Sequence, residues 1–272
     1  MDGVTAPLAG EHHTALVAAV AALENPNFAT RLADFAGAPV SRVLATLPRF
    51  VDKGLTKAVD AALQRCLRTA IQSLDGKPVR QPRPWMSTIA AGVTGGVSGF
   101  VGVAALPVEL PVTTTLMLRA IADIARHNGE DLSQLEPRLA CLQVFALGAR
   151  SAGATHSNMG YFSSRALLTR LSGNAAAFLV ERGTAELTAP MVHKLMAEIV
   201  SRFSIVVSDR LAASAVPVIG AVGGATVNVV FMNHFQRVAR GHFTVRRLGR
   251  RYGPDLVRHH YAQIARQAAA RR

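Results

Sequence analysis

The sequence predicts an all-α protein, a helical bundle around a glycine-packed pair of apolar helices. Three observations carry that prediction. Half of the 272 residues are hydrophobic but only 6% are aromatic, and β-branched residues rarely alternate with polar ones as a half-buried strand requires. Apolar positions recur instead at helical spacing over most of the chain. Two stretches also lack Asp, Glu, Lys and Arg altogether: residues 86–108 (MSTIAAGVTGGVSGFVGVAALPV) and 211–232 (LAASAVPVIGAVGGATVNVVFM). Both contain Gly-x-x-Gly-Gly.

The glycines define a face. Gly92, Gly95, Gly96, Gly99 and Gly102 fall at i, i+3, i+4, i+7 and i+10, one side of a helix at about 100° per residue. Gly220, Gly223 and Gly224 repeat the start of the pattern. Such faces let two helix backbones approach closely, gaining dispersion and weak Cα–H···O contacts. Each glycine costs a helix ~1 kcal/mol relative to alanine, so five on one face need a packing reason. Either the two helices pack inside a soluble core, or they form a membrane-inserted or membrane-switching hairpin, for which ~20 residues suffice.

Taken in order, residues 11–24 form an amphipathic helix stopped by Asn25-Pro26. Residues 39–73 carry one or two helices, with Pro48 interrupting, and the prolines at 78, 82 and 84 mark a linker. After the first apolar stretch, Pro107 and Pro111 predict a break or kink. Residues 113–127 form a helix closed by Asn128-Gly129, a left-handed cap. Asp131 or Ser133 caps the next helix, with Pro137 near its start, running to about residue 150. Residues 151–161 read as a small-residue loop, 163–182 and 190–208 as amphipathic helices. The second apolar helix follows, then a basic segment with a turn at Gly253-Pro254 and a last helix.

Charge is unevenly spread. The chain carries a net +13. Residues 237–272 hold ten arginines against one acid, Asp255, for +9, leaving +4 for the rest. A basic segment beyond an apolar hairpin suits an anionic membrane surface or an acidic protein, and Arg246, Arg247, Arg250 and Arg251 are its candidate contacts. Its placement fits the positive-inside rule. A solvated basic helix without a partner is the bland alternative, and nucleic acid is the weaker competitor. Two cysteines, Cys66 and Cys141, suggest no disulfide framework. The first residues do not read as a signal peptide, because Asp2 and Glu11 stand where a basic n-region belongs.

Catalytic signatures are missing. Gly96-Val97-Ser98-Gly99 lacks the spacing of a nucleophile elbow, and no phosphate-binding glycine loop occurs. No cofactor or metal is expected: His12-His13 and His259-His260 are adjacent pairs whose rings point about 100° apart on a helix. Four polar residues stand out. Glu109 is the lone acid between Trp85 and Leu118, and Arg119 is its nearest cationic candidate. Asn228 and His234 lie on or beyond the second apolar stretch. The four read as a polar staple between helices, as the site of a hydrolase-type enzyme, or as groups exposed at helix ends.

The segment Leu106-Pro107-Val108-Glu109-Leu110-Pro111, the run TTTLMLRAIADIA that follows it, Gly129-Glu130-Asp131 and CLQVFALG at 141–148 resemble the EcsC protein family. VPVIGAVGGATVN at 216–228, VARGHFTVRRL at 238–248 and Arg251-Tyr252-Gly253 extend the resemblance, which covers roughly residues 44–261. Three parts follow: 1–43, an N-terminal amphipathic helix and linker; 44–261, the EcsC-like helical domain; 262–272, a basic tail. The family is named for a protein encoded beside a bacterial ABC transporter, and its biochemical activity is undefined. The resemblance therefore implies a bacterial accessory protein, cytoplasmic and associated with the inner membrane, with a link to ABC transport or secretion. A soluble partner-binding module and the hydrolase using Glu109 and a histidine are the alternatives.

Overall fold

The structure, a computed structural model, describes residues 8, 10–24, 49–72, 106–149, 160–182, 189–214 and 223–271. Among them are eight helices and no strand: α1 (Gly10–Glu24), α2 (Arg49–Gln72), α3 (Leu106–His127), α4 (Leu135–Leu147), α5 (Gly160–Arg182), α6 (Pro190–Ser214), α7 (Gly223–Tyr252) and α8 (Pro254–Ala270).

The bundle is arranged around α4. All of its 13 residues except Glu136 are buried, and α2, α3, α5, α6 and α7 all touch it. A helix apolar on every side is stable only when enclosed. Its two internal polar side chains are held by neighbours. Arg138 donates to the Leu132 carbonyl and, at 2.9 Å, to the Ala70 carbonyl in the last turn of α2. Gln143 Nε2 donates to Ser172 Oγ of α5 at 2.6 Å. Beside them Phe145 of α4, Phe203 of α6, and Phe231 and Phe235 of α7 interlock, with neighbouring ring centroids 4.9–6.1 Å apart. Most of these pairs are edge-to-face, the arrangement that aromatic quadrupoles favour.

The first helix closes the bundle against the last two. Leu16, Ala19, Val20 and Leu23 of α1 are buried at i, i+3, i+4 and i+7, and α1 packs on α7 and α8. Contact with α7 is close because Gly241 lacks a side chain: a Cβ there would lie 2.9 Å from Leu23 Cγ and 3.2 Å from the Ala19 carbonyl.

Local signals held where chemistry is local. Gly129 has φ 76°; its N–H donates to the Arg126 carbonyl and that of Glu130 to the Ala125 carbonyl, the paired bonds of a Schellman cap. Gly253 at φ 88° separates α7 from α8, and Pro254 starts α8.

Two expectations are corrected. The prolines at 107 and 111 do not break the chain, since α3 runs through Pro111. Pro107 sits in the first turn, where backbone N–H groups have no helical partner anyway. Above Pro111, the hydroxyls of Thr114 and Thr115 donate to the carbonyls of Leu110 and Pro111, each at 2.7 Å. The N-cap of α4 is Gln134, without a side-chain capping bond. Asp131 instead accepts from the Ser133 amide at 2.9 Å, closing a turn of its own. Of the 211–232 stretch, residues 211–214 belong to α6 and residues 223–232 to α7, while 215–222 lie outside the described residues. The second half of the 30-residue α7 is the arginine-rich segment. Gly92, Gly95, Gly96, Gly99 and Gly220 lie outside the described residues, as does the domain boundary at 43/44; the boundary at 261/262 falls within α8.

Candidate functional site

Helix α7 contains no Asp or Glu, so its arginines either find acids on other helices or face outward. Arg246 takes the first course. Its Nε and Nη2 donate to the two oxygens of Glu130 at 2.8 and 2.9 Å, while Nη1 and Nη2 donate to those of Glu136, both at 3.0 Å. Arg250 joins by pairing with Glu130 and donating to the Asn128 carbonyl at 2.6 Å. Glu130 is 3% exposed and Arg246 12%. Burial tends to raise the Glu130 carboxyl, but hydrogen bonds from Arg246 and Arg250, and their charges, hold it below its ordinary value. Burial likewise opposes the charge on Arg246, yet its bonds to Glu130 and Glu136 prevail and keep the guanidinium more firmly protonated than usual. Two of the four candidate membrane contacts are thus committed to joining α7 to the α3–α4 corner.

The other two face out. Arg247 and Arg251 are exposed, together with Arg240. At about 100° per residue these three lie within about 40° of one another on α7. None has an ion pair among the described residues. Apart from Asn233 and the Glu130-paired Arg250, the rest of this helix as described is largely buried, so they form a narrow positive stripe on a mostly covered element.

The polar residues named for catalysis are separated. Glu109 pairs with Arg210 of α6, and not with Arg119, which is exposed. The Arg210 guanidinium also stands over the Phe231 ring, 5.2 Å from its centroid. One turn from Phe231, Asn228 is fully buried. Glu109, Arg210 and Phe231 form a clamp joining α3, α6 and α7. His234 belongs elsewhere: its Nε2 is 2.8 Å from the carbonyl of Gly148, just past the end of α4. Six residues of helix place it about 9 Å along the axis from Asn228. A carboxylate locked in an ion pair and an imidazole bonded to a backbone carbonyl make no general acid–base pair.

One buried polar pair escaped the sequence reading. The hydroxyl of Tyr161 lies 3.0 Å from His242 Nδ1, and both side chains are fully buried. Burial, reinforced by the charges of Arg165 and Arg246, lowers the His242 imidazole well below its usual value, so the ring is neutral at pH 7. Burial pushes the Tyr161 hydroxyl up to about 12. His242 Nε2 has no hydrogen-bond partner among the described residues. Both thiols are inert by the same reasoning, burial pushing Cys66 up to about 11 and Cys141 up to about 12. Among the described residues no group of His, Cys, Asp and Glu could hold a metal ion, and no helix is long and apolar enough to cross a membrane.

No curated protein and no solved structure matches the chain significantly. One family does: the model of the EcsC protein family aligns with residues 16–248. That span begins inside α1, earlier than the motif resemblance, and ends in α7 just beyond the Arg246 network. A match over so much of the chain settles its kinship, and the chain belongs to the EcsC protein family.

Proposed function

We propose that this protein is a non-enzymatic accessory protein that docks peripherally on the cytoplasmic face of an anionic membrane through the α7 stripe. The carrying observation is the sorting of α7's arginines. Arg246 and Arg250 are consumed by Glu130 and Glu136, while Arg240, Arg247 and Arg251 stay exposed, aligned and without acids on their own helix. Exposed Arg266 of α8, and Arg271 just past its end, add to the positive field. A surface of this kind is attracted to anionic lipid by about 1 kcal/mol per basic residue, and salt weakens it. The family's naming beside an ABC transporter motivates extending the reading to a membrane-protein partner at the same surface.

Co-sedimentation with phosphatidylglycerol-containing vesicles tests this reading. Binding is expected at low salt, with little to pure phosphatidylcholine. Changing Arg240, Arg247 and Arg251 to Gln together should weaken it by about a hundredfold without altering thermal unfolding. A triple variant that sediments like the parent overturns the proposal.

A further inference from the structure

A second basic feature lies on the far side of α7 from the stripe. A cavity of about 550 Å³ opens between α5, α7 and α8, lined by Phe162, Arg165, Arg170, Val245, Val257 and Arg258 among others. Its volume is in the ligand-pocket range of about 300–1,000 Å³. Val245 and Gly249, the two lining positions of α7, lie about 140–180° round that helix from Arg240. The cavity and the stripe are therefore distinct surfaces.

The chemistry of the lining is one-sided. Three arginines contribute to it and no carboxylate does. None of the three forms an ion pair among the described residues. Arg165 and Arg258 come from different helices, yet each holds its guanidinium 5.9 Å from the centroid of the same Phe162 ring. Two cations drawn to one ring repel each other, and an anion between them relieves that repulsion. Helix α8 starts at the rim: Pro254 lines the cavity, and its N-cap is Gly253, which supplies no side chain to the first-turn amides. A helix N-terminus favours negative charge. The remaining wall is mostly apolar, from Phe162, Ala166, Val245 and Val257, with hydroxyls from Ser163 and Thr169.

We propose that this cavity binds an amphiphilic phosphate monoester, with the phosphate between Arg165, Arg170 and Arg258 and the apolar part against Phe162, Val245 and Val257. Arginine suits the task because its planar fork meets two phosphate oxygens at once. A phospholipid headgroup and a soluble organic phosphate share this chemistry. The inference does not depend on the stripe's docking to membranes, since different residues carry it.

Calorimetric titration of the full chain with monomeric dihexanoyl phosphatidic acid tests the site, with inorganic phosphate and dihexanoyl phosphatidylcholine as companion probes. Saturable binding of the phosphatidic acid is expected. Arg170→Gln and Arg258→Gln, both at exposed positions, should each weaken it about tenfold, while Arg247→Gln combined with Arg251→Gln leaves it unchanged. Binding of phosphatidic acid but not inorganic phosphate supports the site and assigns it to a lipid headgroup. Comparable binding of the two would show that the apolar wall adds nothing, and overturns the amphiphilic reading. The proposal is overturned if phosphatidylcholine binds equally well, if neither groove variant differs from the parent, or if the stripe variant weakens binding as much as they do.

Discussion

Glu109 and Arg210, 101 positions apart in sequence, form an ion pair with 9% and 5% of their side chains exposed. The pair ties the first turn of α3 to the last turns of α6, and the cation's face is occupied by Phe231 of α7. Three helices thus meet at one charge pair.

Removing one member should strand the other. Glu109→Ala or Arg210→Ala is expected to destabilise the fold by about 3–5 kcal/mol, and Glu109→Leu combined with Arg210→Met should recover part of that loss. Arg119→Ala, an exposed site, should stay within about 0.5 kcal/mol of the parent. A double-mutant cycle in urea decides the matter; additive effects of the Glu109 and Arg210 changes contradict the pairing.

Glu130 makes an acid-sensitive contribution. Its folded carboxyl is held below its ordinary value of 4.5. The folded state therefore binds fewer protons than the unfolded state as pH falls through that region, and stability declines with it. The contribution is complete above the unfolded value and disappears once pH passes below the lowered one. Urea midpoints measured from about pH 6 to pH 3 should fall more steeply for the parent than for Glu130→Gln. Parallel curves would refute it.

Asp209 works in the opposite sense. Burial raises its carboxyl from 3.8 to about 6. Between those values the folded state holds the extra proton, so stability drops as pH rises through the window and remains lowered above it. Asp209→Asn should stabilise the protein at neutral pH by on the order of 2 kcal/mol and confer nothing once pH is below 3.8. Denaturant titrations at the two ends of the window check the sign.

Gly241 should tolerate no large side chain. Leu23 Cγ and the Ala19 carbonyl stand where its Cβ would go. Gly241→Leu is expected to cost about 1–3 kcal/mol or more and to loosen α1 first. Hydrogen exchange of the α1 amides reads this directly; unchanged protection would show that α1 and α7 are not so closely packed.

What could be read from the sequence was local. The Gly129 cap, the Gly253-Pro254 turn and the helical class all follow from residues within a few positions of one another. The partner of Glu109 was misread because Arg119 is near in sequence and Arg210 is near only in space. Arg246 and Arg247 are adjacent and chemically identical, yet one enters a glutamate cage and the other faces solvent. Helical periodicity separates them onto different faces, but only the packed α3–α4 corner decides which face is inside. Glycine geometry was sought in the uncharged stretches, whereas close approaches among the described residues fall at Gly148, against the Phe235 ring, and at Gly241, amid arginines and histidine. Tyr161 and His242 gave no warning, being 81 positions apart and outside any motif.

The seating of α1 on α7 also bears on how the chain is made. Its buried face, with Leu16, Ala19, Val20 and Leu23, is translated before the surface that covers it, which is completed only with α7 and α8. At bacterial-to-eukaryotic elongation rates that interval is roughly ten to forty seconds. During it the nascent chain displays a ready-made apolar helix with no native mate, which makes α1 the segment that a ribosome-associated chaperone would be expected to shield.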